Sequence, residues 1–225
     1  MEKLATNTPL DKILNGGIEC NTITNIYGPP GCGKTNIALM TVLNCLTNGK
    51  VVYFDTEGSF SAERFEQIGG TEKDLKNIIF IEVHSWDEQH KKMTQLESII
   101  EKEKSVKLIV VDSIVALYRL ELDDKNFQKI NKQLATQYSF LSKIARERGI
   151  AVLVTNQVYS NAGDIELTSR NISKYWSKVL IELRKSEKDN HRTAILRKHR
   201  SIAEGKKIDF EIIESGIREA KFSIF

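Results

Sequence analysis

Residues 28–35, Gly28-Pro29-Pro30-Gly31-Cys32-Gly33-Lys34-Thr35, match the phosphate-binding pattern G-x-x-x-x-G-K-[ST] without a mismatch. The glycines let successive backbone N–H groups point into one concavity, and a helix that begins at Lys34 directs its positive end to the same place. Lys34 would reach the β- and γ-phosphates, and the Thr35 hydroxyl would ligate Mg²⁺. The eight residues therefore predict a triphosphate site.

The sequence on either side of the motif supports this interpretation. Residues 22–27 alternate and are rich in β-branched side chains, which is typical of a strand. Residues 34–46 place their apolar side chains on one helical face. A chance match in an unrelated turn is the alternative, and it would need neither the strand nor the helix. Strand, glycine loop and helix together predict nucleotide binding.

Length and composition are those of an ordinary globular protein. The 225 residues are 40% hydrophobic and 28% charged, which suits one α/β domain over residues 1–225. We expect no signal peptide and no membrane span, because the chain starts without a basic region followed by an apolar run. Three cysteines without metal-ligand spacing, Cys20, Cys32 and Cys45, predict reduced thiols in a cytoplasmic protein.

Three further strands are each predicted to end beside a polar residue. The strands are residues 51–54, 108–111 and 150–155. In open α/β sheets, chemistry gathers at the carboxyl ends of strands. Glu57 is therefore a candidate general base for water, Asp112 a candidate to hold Mg²⁺ through water, and Gln157 a candidate contact of the γ-phosphate. For Glu57, a solvated acid in a turn is the alternative.

The remaining pattern alternates helices with strands. Helices are predicted at residues 10–14, 61–68, 86–103 and 128–148, and strands at residues 78–83, 178–183, 193–199 and 210–213. Loops are predicted at residues 116–125 and 158–169, and a turn at residues 215–217. This order predicts an α/β fold, with a mostly parallel twisted sheet flanked by helices and antiparallel strands at its C-terminal edge.

Positive charge is concentrated in the C-terminal third. Between residues 170 and 207, twelve Lys and Arg residues stand against four acids, which leaves +8, whereas the whole chain carries only +3. Such a segment is typical of a surface that meets phosphate, in nucleic acid or in a neighbour's nucleotide. A solvated face of lysine side chains is the alternative.

Several islands of sequence together resemble the ATPase core of RecA-class recombinases, with a RecA-type P-loop NTPase fold. They are the phosphate loop and residues 10–19, 53–60, 111–113, 116–119 and 154–158. The likeness covers essentially the whole chain and is closest to archaeal RadA and its eukaryotic counterparts. We expect no N-terminal helical DNA-binding domain and no polymerisation linker. A chain of the core alone resembles the RadB group of short archaeal paralogues.

The resemblance implies ATP and Mg²⁺ as ligands and a role for each of six residues. Catalysis would rest on Glu57 as the water-activating base, Lys34 on the phosphates and Gln157 as the γ-phosphate sensor. Thr35 and Asp112 would hold Mg²⁺, the latter through water, and Arg64 matches the position that stacks on adenine. The resemblance also implies a cis peptide bond after Asp112.

DNA contacts are implied by two loops, after Tyr118 and after Val158. Their basic residues, Arg119, Arg170 and Lys174, are the candidate DNA contacts, and the shortness of the second loop predicts that the chain performs no strand exchange. Lys198 and Arg200 are similar to the fingers that KaiC and hexameric helicases insert across a subunit boundary. The alternative for this pair is contact with DNA phosphate or with water.

Three functions compete at this point. The first is an accessory ATPase of homologous recombination and DNA repair that binds single-stranded DNA, hydrolyses ATP slowly and helps a RadA-type recombinase, with possible self-association through the nucleotide. The second is a KaiC-like module in which ATP gates signalling or assembly. The third is a small-molecule kinase, which is disfavoured because no Arg-rich lid accompanies Glu57 and Gln157. No membrane partner is expected.

Overall fold

The computed structural model of the protein describes residues 2–161, 164–169 and 171–220. The helices are α1 (Leu10–Ile13), α2 (Lys34–Cys45), α3 (Ala62–Gln67), α4 (Glu72–Leu75), α5 (Trp86–Lys102), α6 (Ala116–Glu121), α7 (Phe127–Arg148) and α8 (Asn171–Trp176). The strands are β1 (Lys3–Leu4), β2 (Ile18–Glu19), β3 (Ile23–Tyr27), β4 (Lys50–Asp55), β5 (Ile78–Glu82), β6 (Val106–Asp112), β7 (Ala151–Asn156), β8 (Val158–Asn161), β9 (Asp164–Leu167), β10 (Val179–Lys185), β11 (His191–Lys198), β12 (Lys207–Ile213) and β13 (Gly216–Glu219).

Within the described residues, nine strands form one sheet in the order β13-β12-β11-β10-β3-β7-β6-β4-β5. Strands β10, β3, β7, β6, β4 and β5 pair in parallel, whereas β11, β12 and β13 continue the sheet in antiparallel pairs. This arrangement confirms the predicted fold class. It also brings the carboxyl ends of the parallel strands to a single edge of the sheet.

Both faces of the central strands are buried. Side chains of a strand alternate between faces, so Leu108 and Val110 of β6 join the cluster that includes α2, while Ile109 and Val111 join the cluster that includes α5 and α7. All four residues are fully buried. This double burial explains the continuous aliphatic runs in the sequence, and it leaves the strand ends as the place for polar side chains.

Helix ends follow from local sequence. Ser61 and Ser85 each accept a hydrogen bond from the backbone N–H three residues on, which caps α3 and α5. Thr71 and Asp74 form a reciprocal capping box at α4. Gly149 has φ 67° and ends α7 in the left-handed region. These helices begin and end close to the predicted positions, although α4 was not predicted.

Two segments predicted as loops contain regular structure. Residues 116–125 include helix α6, whose Leu117 and Tyr118 are buried against the α5 and α7 side of the sheet. Residues 158–169 include β8 and β9, which pair as an antiparallel hairpin. Helix α8 follows and was not predicted. Both segments have a polar composition that is typical of loops. Burial of a few apolar residues nevertheless stabilises a helix in one and a hairpin in the other.

The C-terminal edge also differs from the prediction. The predicted turn at residues 215–217 is limited to residues 214–215, because β13 begins at Gly216 and pairs with β12. The three cysteines are buried and free, which confirms that they form no disulfides. Within the described part of the chain, no helix is both long and apolar enough to cross a membrane.

Candidate functional site

A cleft of about 230 Å³ opens at the edge where the parallel strands end. It collects residues from the phosphate loop and α2, from the end of β6 and from the segments that follow β4 and β7. The lining residues are Pro30, Gly31, Gly33, Lys34, Thr35, Asn36, Glu57, Asp112 and Gln157. The structure therefore brings together the candidates for phosphate, magnesium, base and sensor, which lie as far apart in sequence as Pro30 and Gln157.

Glycine is required at two positions of the phosphate loop. Gly33, the residue before α2, has φ 92°, a conformation that L side chains rarely adopt. At Gly28, a Cβ atom would lie 2.4 Å from the backbone oxygen of Leu183 on the neighbouring strand β10. The loop is thus held close against the sheet, with the amino end of α2 directed into the cleft.

Lys34 lies across its own loop. Its Nζ donates to the backbone oxygens of Gly28 at 2.8 Å and Pro29 at 3.0 Å. Burial lowers the pKa of this ammonium, while the negative charges of Glu57 and Asp112 act in the opposite direction. A phosphate oxygen in the cleft would replace these neutral carbonyl acceptors with a charged one, and a hydrogen bond between two oppositely charged groups is stronger.

Asp112 is a buried carboxylate, 3% exposed, that accepts three hydroxyl hydrogen bonds. Oδ2 accepts from Tyr53 at 3.0 Å and from Ser59 at 3.2 Å, and Oδ1 accepts from Thr155 at 2.5 Å. Burial, followed by the charge of Asp112, raises the pKa of the Tyr53 phenol well above its ordinary value. The peptide bond between Asp112 and Ser113 is cis, as the resemblance implied.

Glu57 is directed into the cleft by the turn after β4. The Asp55 carboxylate organises this turn, because it accepts hydrogen bonds from the backbone N–H groups of Glu57, Ser59 and Phe60 at 2.9–3.1 Å. Burial raises the pKa of the Glu57 carboxyl, and Asp112 and Asp55 add to the shift. The Gln157 amide and Lys34 lower it. A raised pKa brings a carboxylate closer to the basicity that general-base catalysis needs.

Gln157 bridges Glu57 and Arg119. Its Nε2 donates to Oε1 of Glu57 at 2.5 Å, and its Oε1 accepts from Nη1 of Arg119 at 2.5 Å. The backbone oxygen of Gln157 accepts from the N–H and the hydroxyl of Thr168, which follows β9. Arg119, a candidate DNA contact, is therefore connected to the candidate base through one side chain.

Arg64 lies beside the cleft and is absent from its lining. Its Nε donates to Oδ1 of Asn36, a lining residue, at 2.7 Å. Its Nη atoms donate to the backbone oxygens of Ile213, at 2.9 Å, and Glu214, at 2.5 Å, in the turn between β12 and β13. The guanidinium thus joins α3 and α2 to the C-terminal edge of the sheet.

The basic C-terminal segment does not form one surface. Nε of Arg192 donates to the backbone oxygen of Gly31 at 3.0 Å, so part of the segment lies at the chain's own phosphate loop. Arg184 and Arg197 both pair with the buried carboxylate of Glu182. The net charge of this segment therefore includes cations that neutralise a buried acid and cations that flank the cleft.

The remaining candidates lie on the far side of β10. Nζ of Lys198 donates to the backbone oxygens of Lys174 at 2.6 Å and Ser177 at 2.9 Å, and Nε of Arg200 donates to Glu19 at 2.8 Å. Lys198 is paired with Leu180, near the amino end of β10. The Lys174 side chain is exposed. Arg170 lies outside the described residues.

Sequence reasoning missed the groups that surround the candidates. Tyr53, Ser59 and Thr155 each donate to Asp112, and Asp55 shapes the turn that carries Glu57. One of them could have been predicted from the sequence. Thr155 is a hydroxyl residue directly before Asn156, at the polar end of a strand. Tyr175, 72% exposed and adjacent to Lys174, was also missed.

Comparison with known families gives one match over nearly the whole chain. A family model described as Rad51 matches residues 3–220. A solved structure titled "Crystal structure of the RadB recombinase" superposes with a TM-score of 0.83 and 33% sequence identity. The superposition covers 97% of this chain and 100% of that chain.

Curated archaeal relatives carry the name "DNA repair and recombination protein RadB". The relative from Methanosphaera stadtmanae is 46% identical over 221 residues, covering 95% of this chain and 94% of the relative. That from Methanobrevibacter smithii is 44% identical, covering 96% and 95%. That from Methanothermobacter thermautotrophicus is 38% identical, also covering 96% and 95%.

The hydroxyl of Thr155 should contribute measurably to stability through Asp112. Thr155→Val keeps the shape of the side chain but removes a buried donor to a carboxylate, so the free energy of unfolding should fall by about 1.5–3 kcal/mol. Thr136→Val is the matched control, because the Thr136 hydroxyl donates only to the Lys132 backbone oxygen on the surface of α7. Urea denaturation of both variants measures the difference, and equal losses would contradict the assignment.

Proposed function

Since this chain belongs to the Rad51 family and, within it, to the RadB group, we propose that it is an ATP- and DNA-binding accessory protein of homologous recombination and DNA repair. The observation that carries the proposal is the cleft in which Lys34, Thr35, Glu57, Asp112 and Gln157 meet. It would hydrolyse ATP slowly and would perform no strand exchange of its own. We further propose that residues 1–225 act as one RecA-like domain.

The phosphate loop fits a triphosphate. The left-handed backbone at Gly31 and Gly33 turns N–H groups toward the cleft, and α2 adds the positive end of its dipole. Lys34 supplies a full positive charge, and Lys185 and Arg192 increase the positive potential around the loop.

The residues around Asp112 fit a hydrated Mg²⁺ ion. Mg²⁺ usually retains several waters and takes one or two protein oxygens together with phosphate oxygens. The Thr35 hydroxyl and the Asp112 carboxylate both line the cleft. When bound, the ion would neutralise charge on the phosphates. The hydroxyl donors from Tyr53, Ser59 and Thr155 leave Asp112 oriented for a contact through water.

Hydrolysis would use the chain's own groups in separate roles. Glu57 would accept a proton from the attacking water, which its raised pKa favours. Lys34 would stabilise the negative charge on the transferred phosphoryl oxygens. Gln157 would contact the γ-phosphate or the water and transmit its presence to the β8–β9 hairpin, and Arg64 would contact the adenine side of the nucleotide.

DNA binding would use the exposed groups near the hairpin and α8. Lys174 and Arg119 would contact phosphates, as would Arg170, which lies outside the described residues. The Tyr175 ring, adjacent to Lys174, is suited to stacking on a base of single-stranded DNA. Strands β8 and β9 are four residues each, which is short for a loop that must space three DNA strands. The protein would therefore assist a RadA-type recombinase.

A KaiC-like assembly module is the second candidate, and the position of Lys198 and Arg200 favours it. The phosphate loop follows the carboxyl end of β3, whereas Lys198 lies near the amino end of β10, its parallel neighbour. A role for this pair at a phosphate would therefore require the nucleotide of a second copy. Self-association through the nucleotide would place them there.

Separate substitutions in the cleft should divide binding from turnover. Lys34→Ala should abolish binding of Mg-ATP, because Lys34 is the only cation among the described residues that line the cleft. Glu57→Gln keeps the size of the side chain and should retain binding but lose at least about 100-fold in hydrolysis, the usual contribution of a general base. Calorimetry and phosphate release measure the two effects. Preserved hydrolysis in Glu57→Gln would eliminate the proposed base.

Removal of one cation should identify the DNA-binding surface. Lys174→Ala should weaken binding of single-stranded DNA and reduce the slope of log affinity against log salt by about 0.7. Lys104→Ala is the matched control, because Lys104 is an exposed lysine just beyond α5. Fluorescence anisotropy across a salt series measures both slopes. Equal effects of the two variants would mean that Lys174 is only a solvated cation.

The size of the particle in solution should distinguish the two candidate functions. For an accessory protein, we expect Mg-ATP alone to leave the chain at low molecular mass and single-stranded DNA to produce the larger species. Light scattering after size exclusion measures this. A closed ring formed with Mg-ATP in the absence of DNA, and lost in Lys198→Ala with Arg200→Ala, would instead support the assembly module.

A further inference from the structure

Three side chains form a hydrogen-bonded chain at the mouth of the cleft. Arg119 of α6 donates to Oε1 of Gln157, and Nε2 of Gln157 donates to Oε1 of Glu57, both at 2.5 Å. A guanidinium can only donate and a carboxylate can only accept, so the orientation of the amide between them is determined. Both ends of the Gln157 side chain are occupied in this arrangement.

We propose that Arg119 is a positioning residue that restrains ATP hydrolysis by holding the Gln157 amide against Glu57. The inference rests on the proposed ATPase function of the cleft. In the held arrangement, the amide donates to Oε1 of Glu57 and stabilises its negative charge, so the carboxylate is a weaker base toward water. Gln157 must release Glu57 before its Nε2 can contact a γ-phosphate or the attacking water.

Contacts with neighbouring residues hold the backbone at Arg119, Gln157 and Glu57. The hydrogen bonds between the three side chains are therefore broken by side-chain rotation. Tyr118, next to Arg119, is buried, donates to Asn131 of α7 at 2.6 Å and packs edge-on against Trp86 of α5. The Gln157 backbone oxygen is held by Thr168. The position of Glu57 is set by Asp55. Arg119 itself is exposed, so its removal leaves the core unchanged.

The positive charge of Arg119 strengthens both hydrogen bonds made by the Gln157 side chain. A hydrogen bond from a charged donor to an amide oxygen is stronger than one between neutral groups, and it polarises the amide so that its N–H becomes a better donor. The bond from Gln157 to Glu57 is therefore strengthened by Arg119. Without the guanidinium, the amide is held at one end only and rotates more freely.

Steady-state kinetics of Arg119 variants test the restraint. Arg119→Ala should raise kcat for ATP hydrolysis about threefold or more, since losing roughly 0.7 kcal/mol of restraint corresponds to a factor of about 3, and should leave KM for Mg-ATP unchanged. Arg119→Lys should return kcat toward the wild-type value, because an ammonium donates to the same amide oxygen. Arg146→Ala is the matched control, since Arg146 lies on the exposed face of α7 and donates only to Ser142. An unchanged or lower kcat in Arg119→Ala overturns the proposal.

A second measurement separates the restraint from the ATPase function on which it rests. The side-chain NH₂ resonances of Gln157, assigned by comparison with Gln157→Ala, report its hydrogen bonds without nucleotide. They should be shifted in the wild type and in Arg146→Ala, and should move to free-amide values in Arg119→Ala. Free-amide values in the wild type overturn the restraint. Shifted values without hydrolysis in any variant overturn the proposed ATPase function instead.

Discussion

Parallel pairing of β3, β7, β6 and β4 is the constraint on which the site depends. The register pairs Tyr27 with Asn156 and Asp55 with Asp112, so the segments that follow these strands begin at the same level of the sheet. The phosphate loop and the residues proposed as base, magnesium ligand and sensor are therefore adjacent because of the strand pairing, and no direct contact between them is required. A shift of one residue in any pairing would turn the strand's side chains to the opposite face.

The second constraint is the buried charge of Asp112. An isolated carboxylate so far from water is costly, and hydrogen bonds to its charged form reduce this cost. Here the donors come from three places in the sequence: Tyr53 on β4, Ser59 in the turn after β4, and Thr155 on β7. Because the same carboxylate joins these elements, the geometry of the cleft and the stability of the sheet's edge are coupled. The same charge also affects Lys34. Burial lowers the pKa of its ammonium, and the carboxylates of Glu57 and Asp112 oppose that shift.

The sequence was sufficient for those parts of the site that are encoded within a few residues. The glycine loop, the aliphatic strand before Asp112 and the acid after β4 are local patterns, and together they are typical of the carboxyl edge of an α/β sheet that binds a nucleotide. The partners of these residues were not predictable in the same way. Thr155 reaches Asp112 because β6 and β7 are neighbours with a particular register, and the contact of Gln157 with Glu57 joins residues 100 positions apart. The β8–β9 hairpin was missed because Ser, Asn, Gly and Asp are frequent in this segment, a composition typical of loops, although Val158 pairs with Leu167 there.

Arg119 belongs to two of the proposals, and the chemistry of its side chain determines how they relate. A guanidinium has five donors in one plane, and the bond to Gln157 uses only Nη1. A DNA phosphate that approached through solvent would prefer a bidentate contact and would compete with the neutral amide for this plane. Coupling between two ligands is reciprocal. If Arg119 both contacts DNA and restrains Gln157, then whatever draws it toward a phosphate also loosens Glu57, and whatever draws Gln157 into the cleft leaves Arg119 freer for DNA. Helix α6, which carries Arg119 on its exposed side, would then be the element through which the two binding sites influence each other.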